Sequence, residues 1–468
     1  MRKLIGKVLD KATTKDFSFA ATTYFEGDFV EVDVSFSESK KGIVIGEVVT
    51  KETFNSYFEN PSIIRYLKED GESLASESLY IIKVKPIAII EDEKVKKLDF
   101  PLPPGINVYS ADENRISRVL GFENQGIPIG YLKQLSNLRV NLSEDLLCKT
   151  HFSILGRTGS GKSFFAKGLL KQIKDRNLII FSPTEEYNEI AKNINADVFS
   201  KHNLILPLNT SYIAAIYGLS LQEEILFEKV MKKDTNLLGK ETISNHEIAQ
   251  IFRSNIRSKG VERKKDILFE AESTLIKNAP EEKLPRFFDT ILSKIESKSL
   301  FFSNHPMKVP FSQSAIIDMS ELEQESQQVI MMYVLNNLLE SYKNEKARKT
   351  YPKLIIVIEE AHNFAPSIQT TICKNKIIQI AREGRKLGIT LSLISQRPRY
   401  LDQTALSQCG SLFLFHIPHP DDIEHVFGIS PIYRQDLIET VRELMVGDCL
   451  ILGDVTKYPL LCSIDFKK

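Results

Sequence analysis

One glycine-rich stretch of the chain has the residue types and spacing of a phosphate-binding loop. It reads Gly156-Arg157-Thr158-Gly159-Ser160-Gly161-Lys162-Ser163 and fits the pattern GxxxxGK[ST]. Glycines permit backbone conformations in which successive N–H groups converge on phosphate oxygens. Lys162 would reach the β- and γ-phosphates of a bound nucleotide, and the Ser163 hydroxyl would hold Mg²⁺. The residues predicted to line the phosphates are Gly156, Thr158, Gly159, Ser160, Gly161, Lys162, Ser163 and Phe164.

The surroundings of this loop support the assignment. An apolar run at Phe152–Leu155 leads in like a buried strand, and a helical segment at Phe164–Lys174 leads out. The helix would add the positive end of its dipole where the phosphates bind. A chance match to the pattern is the alternative, and the strand–loop–helix context argues against it.

A nucleotide hydrolase also needs carboxylates, and two adjacent ones follow a second strand-like run. Glu359 and Glu360 come directly after Leu354–Ile358. Reactive groups gather at the carboxyl ends of strands in parallel α/β sheets. We expect Glu359 to contact the water shell of the metal and Glu360 to act as the general base that activates water. Alternatively, the two acids cap the next helix, because acids favour helix N-termini.

Two more polar residues follow strand-like runs. Gln396 comes after Ile389–Ile394, where its amide would sense the γ-phosphate or position the attacking water, unless it is only a turn residue before a proline. Glu186 follows Leu178–Phe181 and could contribute a further carboxylate near the nucleotide, where it is a possible ligand of the metal. A surface turn is the alternative for Glu186.

A compact basic cluster contains Arg382 and Arg385. Charge that develops on a transferred phosphoryl group is often stabilised by an arginine from a neighbouring subunit. The alternative is a solvated helix end, because cations favour helix C-termini.

Composition narrows the class of protein. The 468 residues suffice for two or three domains. Lys+Arg and Asp+Glu both number 61, so zero net charge argues against a nonspecific nucleic-acid coat but leaves room for a local basic channel. Five scattered cysteines without a CxxC pair predict a reducing cytoplasm and no zinc site. We find neither a signal-peptide core nor an apolar run of membrane-spanning length, and therefore expect no membrane association.

The first hundred residues or so are typical of β-structure. Short β-branched and aromatic runs without helical spacers predict a small barrel or sandwich. The runs are Ile5–Leu9, Phe17–Thr22, Phe29–Val34, Ile43–Thr50 and Tyr80–Ile90. The proline-rich Pro101–Gly105 is interpreted as a linker.

From about residue 140, apolar strands alternate with helices, which indicates an α/β fold with a mostly parallel sheet covered on both faces. The strands include Ala315–Asp318 and Ser411–Phe415, and one helix covers Gln327–Tyr342. Two final runs, Asp448–Leu452 and Pro459–Ile464, are predicted to extend the sheet as an edge pair.

A Lys/Glu-rich stretch at about 221–305 interrupts this pattern and is interpreted as a helical insertion. Its predicted helices are Glu223–Lys232, His246–Asn255 and Glu262–Lys277.

Together, the segments resemble the HerA-type ATPases of the HerA/FtsK superfamily, which are hexameric DNA-pumping motors. The resemblance lies in His151–Ser163, Ile358–Phe364, Ile380–Gly388 and Ile394–Pro398, and more loosely in the N-terminal β-region. It implies a β-barrel of the HAS type at 1–135, a RecA-like ATPase domain at 136–220 and 306–468, and the helical insertion at 221–305.

The resemblance also assigns roles. It implies a homohexamer with ATP at subunit interfaces and double-stranded DNA in the central channel. The family's phosphate-loop lysine, tandem acids, glutamine and trans-acting arginine match Lys162, Glu359 with Glu360, Gln396 and Arg385. In the family's D-x-x-x-E-Y pattern, Ser182 takes the aspartate position, whereas Glu186 and Tyr187 match.

The same resemblance implies a partner. Such motors work with an effector, either a nuclease or a sirtuin-like antiphage defence protein, and the barrel is its expected docking surface. Candidate channel residues are Lys374 with Lys376 and Arg397 with Arg399, although charged loop residues are often only solvated. Alternative functions are an ATP-bound ring that acts as a scaffold for a defence effector, and a pump for peptides or proteins.

Overall fold

A computed structural model describes residues 2–35, 41–54, 79–122, 126–231, 242–258, 284–296, 300–344, 352–429 and 435–466. The chain divides into two units. The first contains Met1–Leu147, Ser411–His416 and Arg434–Lys468. The second contains Cys148–Gly410 and Ile417–Tyr433.

The N-terminal part of the first unit is a closed β-barrel, as the sequence predicts. Its strands are β1 (Leu4–Val8), β2 (Phe17–Ala21), β3 (Phe29–Ser35), β4 (Lys41–Phe54), β5 (Leu79–Glu91), β6 (Lys94–Lys96) and β7 (Asn107–Ser110). Six strands follow the order β2-β1-β7-β3-β4-β5, and a further β2–β5 pairing closes the ring. Alternate side chains such as Phe17, Phe19 and Val32 point inward and are buried. Closure leaves these strands without unpaired edges.

The proline-rich segment is part of this barrel, so the prediction of a linker at Pro101–Gly105 is wrong. Leu102 is buried in the barrel core, and β7, which begins two residues after Gly105, pairs with both β1 and β3. Prolines show that a strand cannot continue, but they do not distinguish a loop within a domain from a connection between domains.

A buried carboxylate ties the barrel to the helix that follows. Helix α1 (Glu113–Leu120) begins after Asp112, whose side chain accepts hydrogen bonds from two amides of the first turn. Arg115 on α1 donates from Nη1 to both carboxylate oxygens of Glu31, at 2.9 and 2.8 Å. Glu31 lies on β3 with no exposed surface and also pairs with Arg2.

The rest of the first unit is a five-stranded antiparallel array. Its elements are β8 (Ile127–Leu132), β9 (Leu135–Leu142), α2 (Glu144–Leu147), β19 (Cys409–Leu414), α12 (Gln435–Glu443), β20 (Asp448–Gly453) and β21 (Leu460–Ile464), of which β19 begins in the second unit. Each successive pair in the order β19-β20-β21-β8-β9 is antiparallel.

One prediction about these strands is wrong. The final runs do not form an edge, because β21 pairs with β8 as well as with β20. The run predicted at Ser411–Phe415 is present as β19, whose pairing with β20 is antiparallel. A continuous apolar run predicts a buried strand but does not give its direction.

The second unit is built on six parallel strands, which confirms the predicted α/β class. They are β10 (His151–Leu155), β11 (Asn177–Ser182), β12 (Ala196–Phe199), β16 (Ser314–Asp318), β17 (Leu354–Ile358) and β18 (Ile389–Ser395). The order is β12-β16-β11-β17-β18-β10. Residues of β10, β16, β17 and β18 are buried throughout, as expected for strands covered on both faces.

Helices and a small second sheet complete this unit. The helices are α3 (Lys162–Leu170), α4 (Thr210–Ile216), α5 (Leu221–Met231), α6 (Asn245–Ser258), α7 (Leu284–Glu296), α8 (Gln324–Lys343), α9 (Lys374–Leu387), α10 (Gln403–Ser407) and α11 (Pro420–Ile429). Strands β13 (Ile205–Pro207), β14 (Ile243–Ser244) and β15 (Phe301–Ser303) form the small sheet. Two of the helices predicted at 221–305 correspond to α5 and α6, whereas Glu262–Lys277 lies outside the described residues. Within the described ranges, none of the helices has the length and apolar character needed to cross a bilayer.

The Glu31 contacts lead to a stability prediction. Replacing Glu31 with Ala leaves the guanidinium groups of Arg115 and Arg2 without their buried acceptor, which should lower the free energy of unfolding of the barrel by about 2 kcal/mol. Urea denaturation followed by circular dichroism measures the change. Asp33→Ala removes an exposed partner of Arg2 and is the matched control, with an expected loss below about 1 kcal/mol. Equal losses in the two variants would contradict the assignment.

Candidate nucleotide-binding and hydrolysis site

Three strand ends bring predicted site residues to one edge of the parallel sheet. Leu155 of β10 is in register with Ser395 of β18, and Ile358 of β17 is in register with Leu393 of β18. The phosphate-binding loop follows β10, the tandem acids follow β17, and Gln396 follows β18. The predicted convergence of these groups is therefore present in the fold.

The phosphate-binding loop has the backbone that its glycines were expected to permit. Gly159 and Gly161 have φ values of 76° and 107°, in the region that favours glycine. Among the described residues beyond its two chain neighbours, none has an atom within 4 Å of the position that a Cβ on Gly159 would occupy. Glycine is therefore required at this position because of the backbone conformation and not because of a lack of space. The following helix α3 ends at Leu170, four residues before the predicted end. Phe164, on the first turn of α3, is exposed.

Lys162 is buried at the base of the loop. Its Nζ donates to the carbonyl of Arg157 at 2.8 Å, and only 7% of the residue is exposed. Burial lowers the pKa of Lys162, whereas the carboxylates of Glu360, Glu359 and Glu186 oppose that shift. An ammonium group in a poorly solvated position interacts strongly with a nearby negative charge, so Lys162 is well placed to bind an anionic phosphate.

Glu359 is buried and hydrogen-bonded. Its Oε2 accepts from Thr184 Oγ1 at 3.0 Å and from Ser182 Oγ at 3.3 Å. Burial raises the pKa of Glu359 to about 7; the hydrogen bond from Thr184 opposes the shift, and the nearby charge of Glu186 adds to it. Ser182 thus places a donor where the related D-x-x-x-E-Y pattern has a carboxylate. Sequence reasoning missed Thr184, which carries no motif signal.

Glu360 has a conformation unusual for its residue type. Its φ of 47° lies in the left-handed region, which is energetically unfavourable for a residue with a Cβ. The surrounding structure must therefore hold the backbone in this conformation. Burial raises the pKa of its carboxyl, while Lys162 and the backbone N–H of Gln396 lower it. The result is a partly buried carboxyl held close to the phosphate loop's lysine.

His362 is a second residue to which the sequence analysis gave no role of its own. Its Nδ1 lies 3.0 Å from Ser395 Oγ, within hydrogen-bond distance, and 3.3 Å from Glu360 Oε2. Burial, with smaller contributions from Arg397 and Lys162, lowers the pKa of His362 to about 4. The imidazole is therefore neutral at physiological pH and lies beside Glu360 Oε2, a buried atom that has no hydrogen-bond partner among the described residues.

Gln396 contacts the phosphate-binding loop directly. Thr158 Oγ1 donates to Gln396 Oε1, and the amide of Gly156 donates to the Ser395 carbonyl at 3.3 Å. The predicted γ-phosphate sensor is thereby coupled to the loop by a side-chain hydrogen bond. The Thr158 partner was not foreseen.

Glu186 lies on a short 3₁₀ helix (Glu185–Ile190) beside the site. It is exposed, yet its charge acts on both Lys162 and Glu359. Asn188 anchors this helix by donating from Nδ2 to Asp318 Oδ2 at 2.6 Å. Tyr187 is fully buried, and burial together with the nearby acids raises its pKa well above its usual value.

The arginines of the basic cluster lie away from this chain's own phosphate loop. Arg382 and Arg385 are exposed on α9 near its C-terminus, just before β18 begins. Besides burial, the charge of Arg385 lowers the pKa of His151, the first residue of β10. The phosphate-binding loop follows the other end of that five-residue strand, roughly 15 Å away. The fold thus does not bring either arginine to Lys162 of the same chain.

Two of the proposed channel cations are engaged within the chain. Lys374 Nζ donates to the Pro366 carbonyl at 2.6 Å and lies 3.2 Å from Asp402 Oδ2. Arg399 pairs with Asp421, and its amide donates to Asp422 Oδ1 at 3.0 Å. The side chain of Lys374 is mostly buried in these contacts, which leaves its ammonium group less available to DNA, and the channel role stays a prediction.

Comparison with known proteins identifies similar chains. Residues 127–338 match the family model described as the central domain of helicase HerA. The chain is 26% identical over 479 residues to the probable helicase MJ1565 of Methanocaldococcus jannaschii, covering 99% of this chain and 91% of that protein. It is 24% identical over 536 residues to the DNA double-strand break repair helicase HerA of Pyrococcus furiosus, covering 100% and 93%.

Two solved structures align with much of the chain at low sequence identity. VirB4 of Thermoanaerobacter pseudethanolicus aligns with 73% of this chain and 97% of its own, at 15% identity and a TM-score of 0.46. The plasmid coupling protein TrwB, in complex with the ATP analogue ADPNP, aligns with 76% and 93%, at 13% identity and a TM-score of 0.47.

The raised pKa of Glu359 predicts that removing its charge increases the stability of the folded protein, by an amount that depends on pH. The folded protein binds this proton more tightly than the unfolded chain, so the contribution to stability is complete below about pH 4.5 and is lost as pH rises through about 7. Glu359→Gln cannot ionise and should exceed the wild type by up to about 3 kcal/mol at pH 8, with little gain at pH 5. Thermal unfolding without nucleotide or magnesium tests this, and exposed Glu185→Gln is the control. A gain of equal size at both pH values would refute it.

Proposed function

We propose that the chain is a HerA-type ATPase, and that it is an ATP-dependent double-stranded DNA translocase or helicase acting as a hexameric ring. The match of residues 127–338 to the model of the HerA central domain supports this, as do HerA relatives that align along nearly the whole chain. One observation supports the catalytic part of this proposal above all others. Lys162, the tandem acids and Gln396 converge at one sheet edge, and Thr158 links the phosphate-binding loop to Gln396. The names of the HerA relatives support DNA as the substrate.

The geometry supports a particular division of labour in hydrolysis. Loop amides and Lys162 bind the β- and γ-phosphates, and Glu360 accepts a proton from the water whose oxygen attacks the γ-phosphorus. The bond between that phosphorus and the bridging oxygen to the β-phosphate then breaks. His362 lies beside the Glu360 carboxylate, and the charge of Lys162 lowers the pKa of that carboxyl, which favours the ionised form needed in a base.

The residues present also fit a magnesium ion. Ser163 and Glu359 supply a hydroxyl and a carboxylate, the oxygen ligands that Mg²⁺ prefers, with Glu186 as a further candidate. When bound, the ion neutralises charge on the phosphate oxygens. Thr184 and Ser182 hold the Glu359 carboxylate in one orientation for that role.

The ring is proposed because the basic cluster is remote from its own site. Arg385, or Arg382 beside it, lies near the opposite end of β10 from the phosphate-binding loop. An arginine in this position can stabilise transition-state charge only in a neighbouring subunit. A heterologous arrangement that repeats this contact closes into a ring.

We further propose that the ring works in the cytoplasm with a partner effector, either a nuclease or an antiphage defence protein, docked on the barrel. Exposed apolar side chains on the barrel, Leu4, Tyr24 and Val49, support such a docking surface. The cysteines are all buried free thiols, which suits a reducing compartment.

A scaffold is the second candidate function. In this alternative the ATP-bound ring assembles and regulates an effector with little DNA pumping. The engagement of Lys374 and Arg399 within the chain favours it, because fewer cations remain for DNA phosphates.

The translocase proposal predicts that duplex DNA stimulates ATP hydrolysis. Lys162→Ala and Glu360→Gln should each reduce the stimulated rate at least about 100-fold, since one loses a phosphate contact and the other the base. Steady-state phosphate production with and without DNA measures this, and exposed Glu185→Gln is the control. Hydrolysis that ignores duplex DNA would favour the scaffold, whereas normal hydrolysis by Lys162→Ala would refute both candidates.

The shared site predicts complementation between inactive variants. A mixed ring of Glu360→Gln and Arg385→Ala subunits contains about a quarter of interfaces with both groups intact, so its ATPase rate should recover to about that fraction of wild type. Each variant alone should remain inactive. Arg382→Ala in place of Arg385→Ala identifies which arginine acts. A mixture as inactive as its components would contradict a site shared between subunits.

A further inference from the structure

A cavity of about 600 Å³ lies beside the Thr158–Gln396 contact, entirely within the second unit. We call the part lined by Arg157, Thr158, Gln396 and Arg397 the inner wall, because it adjoins the phosphate-binding loop. The remaining lining, which includes Arg399, Tyr400, His419 and Asp421, is the outer wall. The cavity is larger than a single small anion, so it fits an anion that passes through better than one that is tightly enclosed.

The charges on the two walls differ. On the outer wall, Arg399 is neutralised by Asp421, and its backbone amide is bound by Asp422. On the inner wall, Arg157 and Arg397 also line the cavity, and among the described residues neither guanidinium lies within ion-pair distance of a carboxylate. The side next to the phosphate-binding loop is thus the side with available positive charge.

Arg397 is held in this place by its neighbours. Its backbone amide donates to Ser395 Oγ at 3.1 Å, and the same hydroxyl lies 3.0 Å from His362 Nδ1. The charge of Arg397 acts on Glu360 and His362, so the guanidinium lies close enough to the tandem acids to influence them. From the sequence, Arg397 is a candidate channel residue or a solvated loop residue.

We propose that this cavity is the exit route for inorganic phosphate after ATP cleavage, with Arg157 and Arg397 binding the departing anion and the Thr158–Gln396 hydrogen bond closing the route beforehand. The inference rests on the proposed hydrolysis at this site. Cleavage leaves phosphate at the γ-position, next to Gln396, while ADP still occupies the loop. Phosphate that displaces the Gln396 side chain from Thr158 reaches two unpaired guanidinium groups, which bind phosphate oxygens through charge-assisted hydrogen bonds.

Single-turnover kinetics without DNA tests the route. Enzyme in excess is mixed with ATP and magnesium; rapid quenching measures ATP cleavage, and a fluorescent phosphate-sensing protein measures phosphate release. Arg397→Gln should leave cleavage within about twofold of wild type and slow release about tenfold, the size of effect expected from losing one charge-assisted contact. Arg399→Gln is the matched control, since its charge is already neutralised on the outer wall, and it should leave both rates unchanged.

A second measurement keeps the test decisive if release is too fast to resolve. Added inorganic phosphate should inhibit steady-state hydrolysis by Arg397→Gln about tenfold less strongly than wild type or Arg399→Gln. Unchanged release together with unchanged phosphate inhibition would overturn the proposal, as would a loss of cleavage equal to the loss of release, which would give Arg397 a role in the chemical step. Weaker ADP binding with normal release would assign the cavity to the nucleotide base instead. Absence of cleavage in the wild type would refute the proposed function itself, a result distinct from the others.

Discussion

The chemistry of this protein depends on parallel strands that end at a common edge. In that arrangement, residues far apart in the chain become neighbours because each directly follows a buried strand. Lys162, Glu359 and Gln396 meet in this way across β10, β17 and β18. The buried strands fix the edge rigidly, so that the loops between them need only short, well-defined conformations to present reactive groups.

Burial at this edge concentrates unlike charges in a poorly solvated space. It lowers the pKa of Lys162 and raises those of Glu359 and Glu360, so that each charge is less favourable there than in water. Hydrogen bonds to Glu359 and the nearness of Lys162 to Glu360 offset only part of this cost. A bound nucleotide with its metal would supply opposite charges for both sets of groups. The site therefore favours the bound state at the expense of the stability of the free protein.

The same edge connects chemistry to movement of the surrounding loops. The Thr158–Gln396 hydrogen bond joins the phosphate-binding loop to the segment that carries Arg397 and leads towards Tyr400 and α11. A structural change at the γ-phosphate position can be transmitted to that segment through the side chain of Gln396. Arg385, at the other end of β10, is the residue proposed to supply the remaining charge to a neighbouring copy.

Sequence by itself determined the parts of this protein that rest on local pattern. Strand ends, the phosphate-binding loop and the tandem acids follow from periodicity, glycine placement and residue type, and short β-branched runs predict a small barrel or sandwich. The local pattern gave wrong predictions for Pro101–Gly105 as a linker and for the final strands as an edge pair, because a few residues encode neither loop membership nor the position of a strand in its sheet.

Tertiary structure alone decided the contacts made between distant segments. Thr184 and His362 have no motif, and their relevance comes only from lying beside Glu359 and Glu360 once the strands are packed. The engagement of Lys374 by Asp402, and the unpaired charge of Arg397 on a cavity wall, likewise depend on three-dimensional position. The type of a charged residue determines which ligands it can bind. Its contacts within the fold determine whether its charge remains available for such a ligand.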